Sequence, residues 1–292
     1  MSIIQSVFLG IVQGLTEFLP ISSSGHLAIL RNFLGIEADG GMLFDALLHL
    51  GTMVAIFLVF RKDLLRMAGE ILCMVRDLIY NGRMFVHNKR ERDARRYRKL
   101  VHNNYRRFVI MVLVSTIPTA VIGYAAADLV QIAEATLITP GVCLILNSGL
   151  LLVADVVEAG KKIPKDITFT NAFLIGMAQG ISVLPGLSRS GTTITACLMS
   201  GYDRRFAVKY SFIMSIPAVI GASLYEVCRM GASTVSFGQM AVYLTGAVSA
   251  GTAGYFSIRK MLGIVRKKKF KGFAFYCLIL GIAAIAGHFL TR

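Results

Sequence analysis

The chain has 292 residues, of which 55% are hydrophobic and 16% charged, and its mean hydropathy is +0.65. A soluble domain carries about 25% charged residues, so these values exclude a water-soluble globule and a disordered chain. The net charge of +15 does not point to nucleic acid, because the basic residues are confined to a few stretches between apolar segments, as the positive-inside bias of a membrane protein requires.

In chain order, the N-terminal MSIIQSVFLGIVQG has neither a basic leader nor a clear cleavage site, so no removable signal peptide is expected. Residues 2–19 and 25–36 are apolar and flank a polar knot, Pro20-Ile21-Ser22-Ser23-Ser24-Gly25-His26. Segments 42–60, 108–127 and 137–157 then meet the requirement of about 20 mostly apolar residues for a membrane span, with a basic segment, 61–107, after the first. Residues 168–184 and 190–201 flank a second knot, PGLSRSG, and the spans 206–226, 237–257 and 272–290 follow. The second arm of each knot has about 12 residues, or about 18 Å of helix, too short to cross ~30 Å of hydrocarbon. Each pair is therefore read as a re-entrant helix-loop-helix, surrounded by protein or a water-filled cavity. Two ordinary spans joined by a polar surface loop are the alternative.

Of the 31 Lys and Arg, 27 fall in 61–107, 158–165, 202–209 and 259–271. Six crossings and two re-entrant pairs put all four segments on one side, the cytoplasm, with both termini outside. The basic stretch 83–107 reads as a cytosolic face touching anionic lipid, not as a nucleic-acid site. The cysteines Cys73, Cys143, Cys197, Cys228 and Cys277 have no paired spacing and read as small apolar residues, with no disulfide or zinc site.

The chain also repeats itself. A shift of 166 residues pairs Gly10 with Gly176, Gln13 with Gln179, Gly14 with Gly180, Ser22 with Ser188, Ser24 with Ser190 and Gly25 with Gly191. Each half then holds one re-entrant pair and three spans, and since three is odd the halves insert with opposite topology, which places a site where the knots meet. The expected fold is an all-α integral membrane protein in one membrane domain, 1–292. Its two inverted-topology repeats are 1–157, including the basic cytoplasmic loop 61–107, and 166–292.

Gln13 and Glu17 are spaced i,i+4 and share a helical face. An ionisable group in an apolar segment costs a few kcal/mol and is by default a functional candidate, a headgroup-level position for Glu17 being the alternative. Pro20 stops the first arm. Serines in the knot can cap the second arm, Gly25 permits close backbone approach, and the helix start is an anion site. Ser with a nearby His, here Ser23 and His26, suggests nucleophile and base. In the second knot Arg189, between Ser188 and Ser190 and ahead of Gly191, Thr192 and Thr193, reads as a phosphate fork, with a structural pairing to Glu17 as the alternative. Asp45, His49, Asn147 and Asp155 are further polar groups in apolar segments, read as supporting or packing groups.

QGLTEFLPISSSGH at 13–26 closely resembles the (E/Q)GxTEFLPxSSxGH motif of the bacterial undecaprenyl-diphosphate phosphatase (bacitracin-resistance) family. PGLSRSGTT at 185–193 resembles its second motif, PGxSRSGxT, and the intervening LLHLGTMVAIFLVF extends the resemblance over nearly the whole chain. The resemblance implies a phosphatase of the bacterial inner membrane that converts the C55 isoprenoid diphosphate to the monophosphate and inorganic phosphate. It thereby recycles the cell-wall lipid carrier and confers bacitracin resistance. It further implies an outward-opening site and a divalent cation, Mg2+ or Ca2+, with Glu17 as a metal ligand. The substrate and membrane lipid are the implied partners; a homodimer is compatible with the architecture.

Carried over by motif, the functional positions are Gln13, Glu17, Ser22, Ser23, His26, Ser188, Arg189, Ser190 and Thr193. Glu17, Ser23, His26 and Arg189 are the expected catalytic groups; Gln13, Ser22, Ser24, Gly25, Ser188, Ser190, Gly191 and Thr193 would bind phosphate. The first acidic position of the family pattern is Gln13 here, which argues for a ligand or hydrogen-bond partner and not an obligatory base. Either Ser23 attacks phosphorus, or metal-activated water does so with Ser23 binding phosphate. Membrane acid-phosphatase-like enzymes need a His about six residues after the arginine; SGTTITACLM follows Arg189, so that mechanism fails. A lipid or small-anion transporter on the same repeat is the rival function.

Overall fold

The computed structural model describes residues 1–34, 41–91, 95–158, 160–229, 236–266 and 269–290. Among these residues there are eleven α-helices, one 3₁₀ turn at Pro164–Asp166 and no β-strand. The first hairpin is α1 (Ile3–Phe18) and α2 (Ser23–Leu34), followed by α3 (Gly41–Glu91), α4 (Asn104–Ala125), the short α5 (Ala127–Glu134) and α6 (Ile138–Val156). The second hairpin is α7 (Phe169–Ile181) and α8 (Arg189–Met199), followed by α9 (Arg204–Arg229), α10 (Phe237–Arg266) and α11 (Lys271–Leu290). The last two residues of the arm expected at 25–36 lie outside the described residues.

Helices α3, α4, α6, α9 and α11 are each long and apolar enough to cross a membrane. The protein is a multi-pass, all-α membrane protein, and large apolar side chains such as Ile117, Val121 and Ile279 stand more than half exposed on its outer faces. Helix α10 has 30 residues but is diluted by Gly, Ser and Thr, because α1 lies against it at backbone contact. A Cβ at Gly10 would sit 2.3 Å from the carbonyl oxygen of Gly246, and one at Gly176 in α7 would sit 2.1 Å from that of Ser115 in α4. Small residues permit this approach where lipid offers no hydrophobic drive between helices. Helices α2 and α8 have 12 and 11 residues, about 17 Å, and neither is long enough to cross ~30 Å of hydrocarbon.

The stretch expected as a loop at 61–107 is helix as far as Glu91: α3 runs on past Phe60, whose φ of −103° and ψ of 18° mark a kink. The apolar residues recur there at three- and four-residue spacing with no proline, so the helical pattern persists through the charges. Residues 95–103 return along this extension. Asn81 and Asn88 each clasp them with two bonds, to the backbone of Arg98 and of Arg95.

The four basic segments share one end of the molecule. Arg107 donates to the carbonyl of Ile167, Lys209 pairs with Asp63, Arg204 donates to the carbonyl of Val157, and the Phe270 amide donates to Asp155. At the core, α9 carries a buried aromatic column in which Phe206, Tyr210 and Phe212 meet Phe108 of α4, Phe18 of α1 and Phe60 of α3. Through Phe18 it packs against the end of α1 next to the first knot.

Candidate active site

Both short arms are started by the same local chemistry, a serine cap. Helix α1 ends at Phe18 and Leu19 is extended, as a following proline demands. Ser22 then caps α2, its Oγ accepting from the amide of Gly25 at 3.2 Å. Ser188 caps α8 in the same way, accepting from Gly191 at 3.0 Å. Ser22 holds φ at +67°, a left-handed conformation that costs a non-glycine residue about 1 kcal/mol or more. The turn is held by the cap and by the bond from His26 Nδ1 to the Ser22 carbonyl at 2.6 Å.

The knots are joined through Asn147 of α6, which is fully buried. Its amide donates to the carbonyl of Pro20 at 2.9 Å, and its Oδ1 accepts from the amide of Ser188 at 3.2 Å. Ser190 Oγ also donates to the carbonyl of Leu19 at 3.3 Å. A Cβ on Gly25 would lie 3.0 Å from the Cα of Gly186, so the two turns touch.

The first residues of the two short arms, Ser23 and Arg189, consequently converge on one carboxylate. Ser23 Oγ donates to Glu17 Oε2 at 2.6 Å, and Arg189 Nη2 donates to Glu17 Oε1. Gln13 Nε2 donates to Glu17 Oε2 at 3.0 Å, and His49 Nδ1 stands 3.7 Å from Oε1 and 3.1 Å from Gln13 Nε2. The Glu17 side chain is 4% exposed and that of Arg189 23%, so the carboxylate is sealed while the guanidinium reaches an accessible surface. Helix geometry leaves the amides of Ser23, Ser24, Arg189 and Ser190 without intrahelical acceptors. The cluster therefore presents a guanidinium, a hydroxyl paired to a carboxylate, and two positive helix starts, a combination suited to binding and attacking an anionic group.

Several expected roles change. His26 does not pair with Ser23. Its Nδ1 donates to the Ser22 carbonyl, its Nε2 accepts from the Tyr276 hydroxyl at 2.7 Å, and its ring stacks on Tyr276. From its place one turn into α2 the ring points back to the capping turn, so it positions that turn, and the group that can accept the Ser23 proton is Glu17. Ser22, Ser188, Gly25 and Gly191 are engaged in caps, with Ser24 and Ser190 3.3 and 3.2 Å from the capping hydroxyls. Thr193 Oγ1 is spent on the carbonyl of Arg189 at 2.8 Å and on Ser211 Oγ at 2.5 Å, and so ties α8 to α9. The pairing of Arg189 with Glu17, the alternative reading, does form, and it forms inside the cluster. His49 and Asn147, expected only as supporting groups, touch the site and the knots directly; their signal was a polar side chain in an apolar span. Asp45, one turn before His49, instead pairs with Arg31 of α2.

Among the described residues no group of three or more His, Cys, Asp or Glu could enclose a metal ion. A hard cation needs fewer protein ligands when phosphate oxygens complete its shell, and here Gln13 Oε1 is buried without a partner beside Glu17. One carboxylate and one free amide oxygen fit such a partial site. An open apolar groove of about 360 Å³, lined by Ile21, Gly272, Phe273 and Tyr276, adjoins the first knot.

The family model described as "Bacitracin resistance protein BacA" matches residues 6–283. A protein named undecaprenyl-diphosphatase from Treponema denticola is 38% identical over 287 residues, covering 97% of this chain and 96% of the relative. Proteins of the same name from Methanosphaera stadtmanae and Alkaliphilus metalliredigens are 36% and 33% identical over 285 residues, each comparison covering 98% of both chains.

Proposed function

The chain belongs to the family of the bacitracin resistance protein BacA, whose relatives are named undecaprenyl-diphosphatases, and on that premise we infer that it is an undecaprenyl-diphosphate phosphatase working where the two knots meet. It is an integral membrane hydrolase that cleaves the diphosphate of the C55 lipid carrier to the monophosphate and inorganic phosphate. The observation that carries the assignment is the convergence of Ser23 and Arg189, the first residues of two short helices, on buried Glu17. The transporter reading draws no support from the relatives' names.

Arg189 has five N–H donors; with Nη2 on Glu17, the others are left for the diphosphate, whose charge they neutralise as it shifts toward the leaving oxygen. Ser23 Oγ attacks the terminal phosphorus in line. The Oγ–P bond forms as the bond to the bridging oxygen breaks, and the lipid monophosphate leaves with the bonding electrons. The hydroxyl proton passes to Glu17, to which it already points. Because phosphoryl transfer has a loose transition state, a carboxylate is a sufficient base. Glu17 gives the hydroxyl proton up to the departing lipid monophosphate. Water then attacks the phosphoserine, Glu17 takes a proton from the water and returns it to Ser23 Oγ as the Oγ–P bond breaks, and inorganic phosphate is released. A divalent cation held by Glu17 and Gln13 Oε1 would supply further charge neutralisation when bound. The groove at Ile21 and Tyr276 offers an apolar path for the isoprenoid tail.

The home of the protein is the bacterial inner membrane, with the shared basic end in the cytoplasm and the site opening to the outer face. The two hairpins are re-entrant and belong to inverted repeats. Support comes from sequence-paired residues in the same local roles: Ser22 and Ser188 as caps, Gly10 and Gly176 at helix crossings. The assignment is tested with protein purified in detergent. Undecaprenyl diphosphate should yield inorganic phosphate, and a chelator should suppress the yield. Movement of the lipid across vesicles without phosphate release would overturn the assignment.

A further inference from the structure

We propose that the extension of α3 beyond Phe60 is a binding surface for anionic lipid headgroups, separate from the phosphatase site. The acidic residues of residues 61–90 are Asp63, Glu70 and Asp77, seven apart. Seven residues fall about 20° short of two turns, so the three form one row. That row is covered and neutralised. Lys209 lies 2.5 Å from Asp63, Arg106 donates to Glu70 at 2.8 Å and to Asp77 at 2.7 Å, and Arg98 donates to Asp77 at 3.0 Å.

The opposite side carries a different pattern. Leu65, Leu72, Ile79 and Val86, also seven apart, are 73%, 72%, 54% and 64% exposed. Four residues after each of the first three members from Leu72 onward, and so about 40° around the helix, stand Arg76, Arg83 and Arg90, all exposed. This face therefore joins an apolar row to a row of cations with no acidic residue between them.

Water would leave the leucines exposed, and the hydrocarbon core would strand the arginines. The headgroup region of an anionic bilayer accommodates both, with the apolar row entering the acyl boundary and the guanidinium row meeting phosphate. A second copy of the chain fits less well, since two such faces would set arginine rows against each other. The kink at Phe60 separates this segment from the spanning part of α3.

The test uses the full chain in nanodiscs of phosphatidylcholine, with or without phosphatidylglycerol. Ile79→Cys carries an environment-sensitive fluorophore, with Cys73 and Cys228 replaced by serine. With phosphatidylglycerol, spin-labelled lipid should quench the fluorophore at least about fivefold more than without it, given the usual attraction of each basic residue to an anionic surface. The triple change Arg76→Ser, Arg83→Ser, Arg90→Ser should remove that difference while leaving phosphate release in detergent unchanged. Quenching that ignores phosphatidylglycerol or survives the triple change would overturn the proposal. So would shielding seen only when two protein copies share a disc.

Discussion

At the scale of single residues, the heaviest electrostatic role in the proposed mechanism falls to Arg189. Its guanidinium pairs with Glu17 and, at 23% exposure, also reaches the accessible side of the cluster. Removing it leaves the carboxylate buried without its partner and the diphosphate without its fork. Arg189→Ala should lower phosphate release by about 10²-fold or more, several kcal/mol of transition-state stabilisation. Arg189→Lys should recover only part of the rate, because an ammonium cannot bridge carboxylate and phosphate in the planar geometry of a guanidinium. Steady-state assays of the two variants check this, and near-normal turnover of Arg189→Ala would remove the role. The arginine was legible in the sequence because it alone among the cations sits in a knot between apolar arms. The orientation of His26 was not. Three residues separate it from Ser23, yet its partner, Tyr276, lies 250 residues along the chain, and no local pattern carries that contact.

At the scale of elements, the short helices α2 and α8 place two reactive residues at one point only if their starts are tied together. Asn147 is the principal tie, bonding both knots from inside α6. Asn147→Ala would leave a buried carbonyl and a buried amide unpaired, at about 1–3 kcal/mol each. The variant should lose several degrees of thermal stability in detergent and also lose turnover, although its side chain touches neither Glu17 nor Arg189 in the described hydrogen bonds. Unchanged activity with reduced stability would show that the knots keep their register without it. The polar side chain was visible in an apolar span, but what it bridges depends on packing between distant elements. The extension of α3 failed in the opposite sense. Its charge density reads as a loop, while its apolar spacing keeps it helical, and the clasping bonds of Asn81 and Asn88 become visible only when the return segment lies alongside.

At the scale of the whole molecule, the proposed inverted arrangement requires that the N-terminus of α1 and the loop before α7 lie on opposite sides of the membrane. Ser2 and Lys165 are both exposed. In intact cells, Ser2→Cys should react with an impermeant thiol reagent added outside, and Lys165→Cys should react only after the membrane is opened. Labelling of both from one side would remove the inverted arrangement and with it the shared site near the midplane. The proposed repeat rests on residues visible in the sequence, Ser22 and Ser188 at two helix caps and Gly10 and Gly176 at two helix crossings.

In the proposed mechanism Ser23 Oγ, held on Glu17 at 2.6 Å, forms the bond to phosphorus. Purified protein mixed with undecaprenyl diphosphate labelled in its terminal phosphate, quenched rapidly in acid and digested, tests it most directly. Label should appear on the peptide containing Ser23 within the first turnover, decay as inorganic phosphate appears, and be absent from Ser23→Ala. A full first turnover with no label on that peptide, and substantial phosphate release by Ser23→Ala, would contradict it and assign the attack to water.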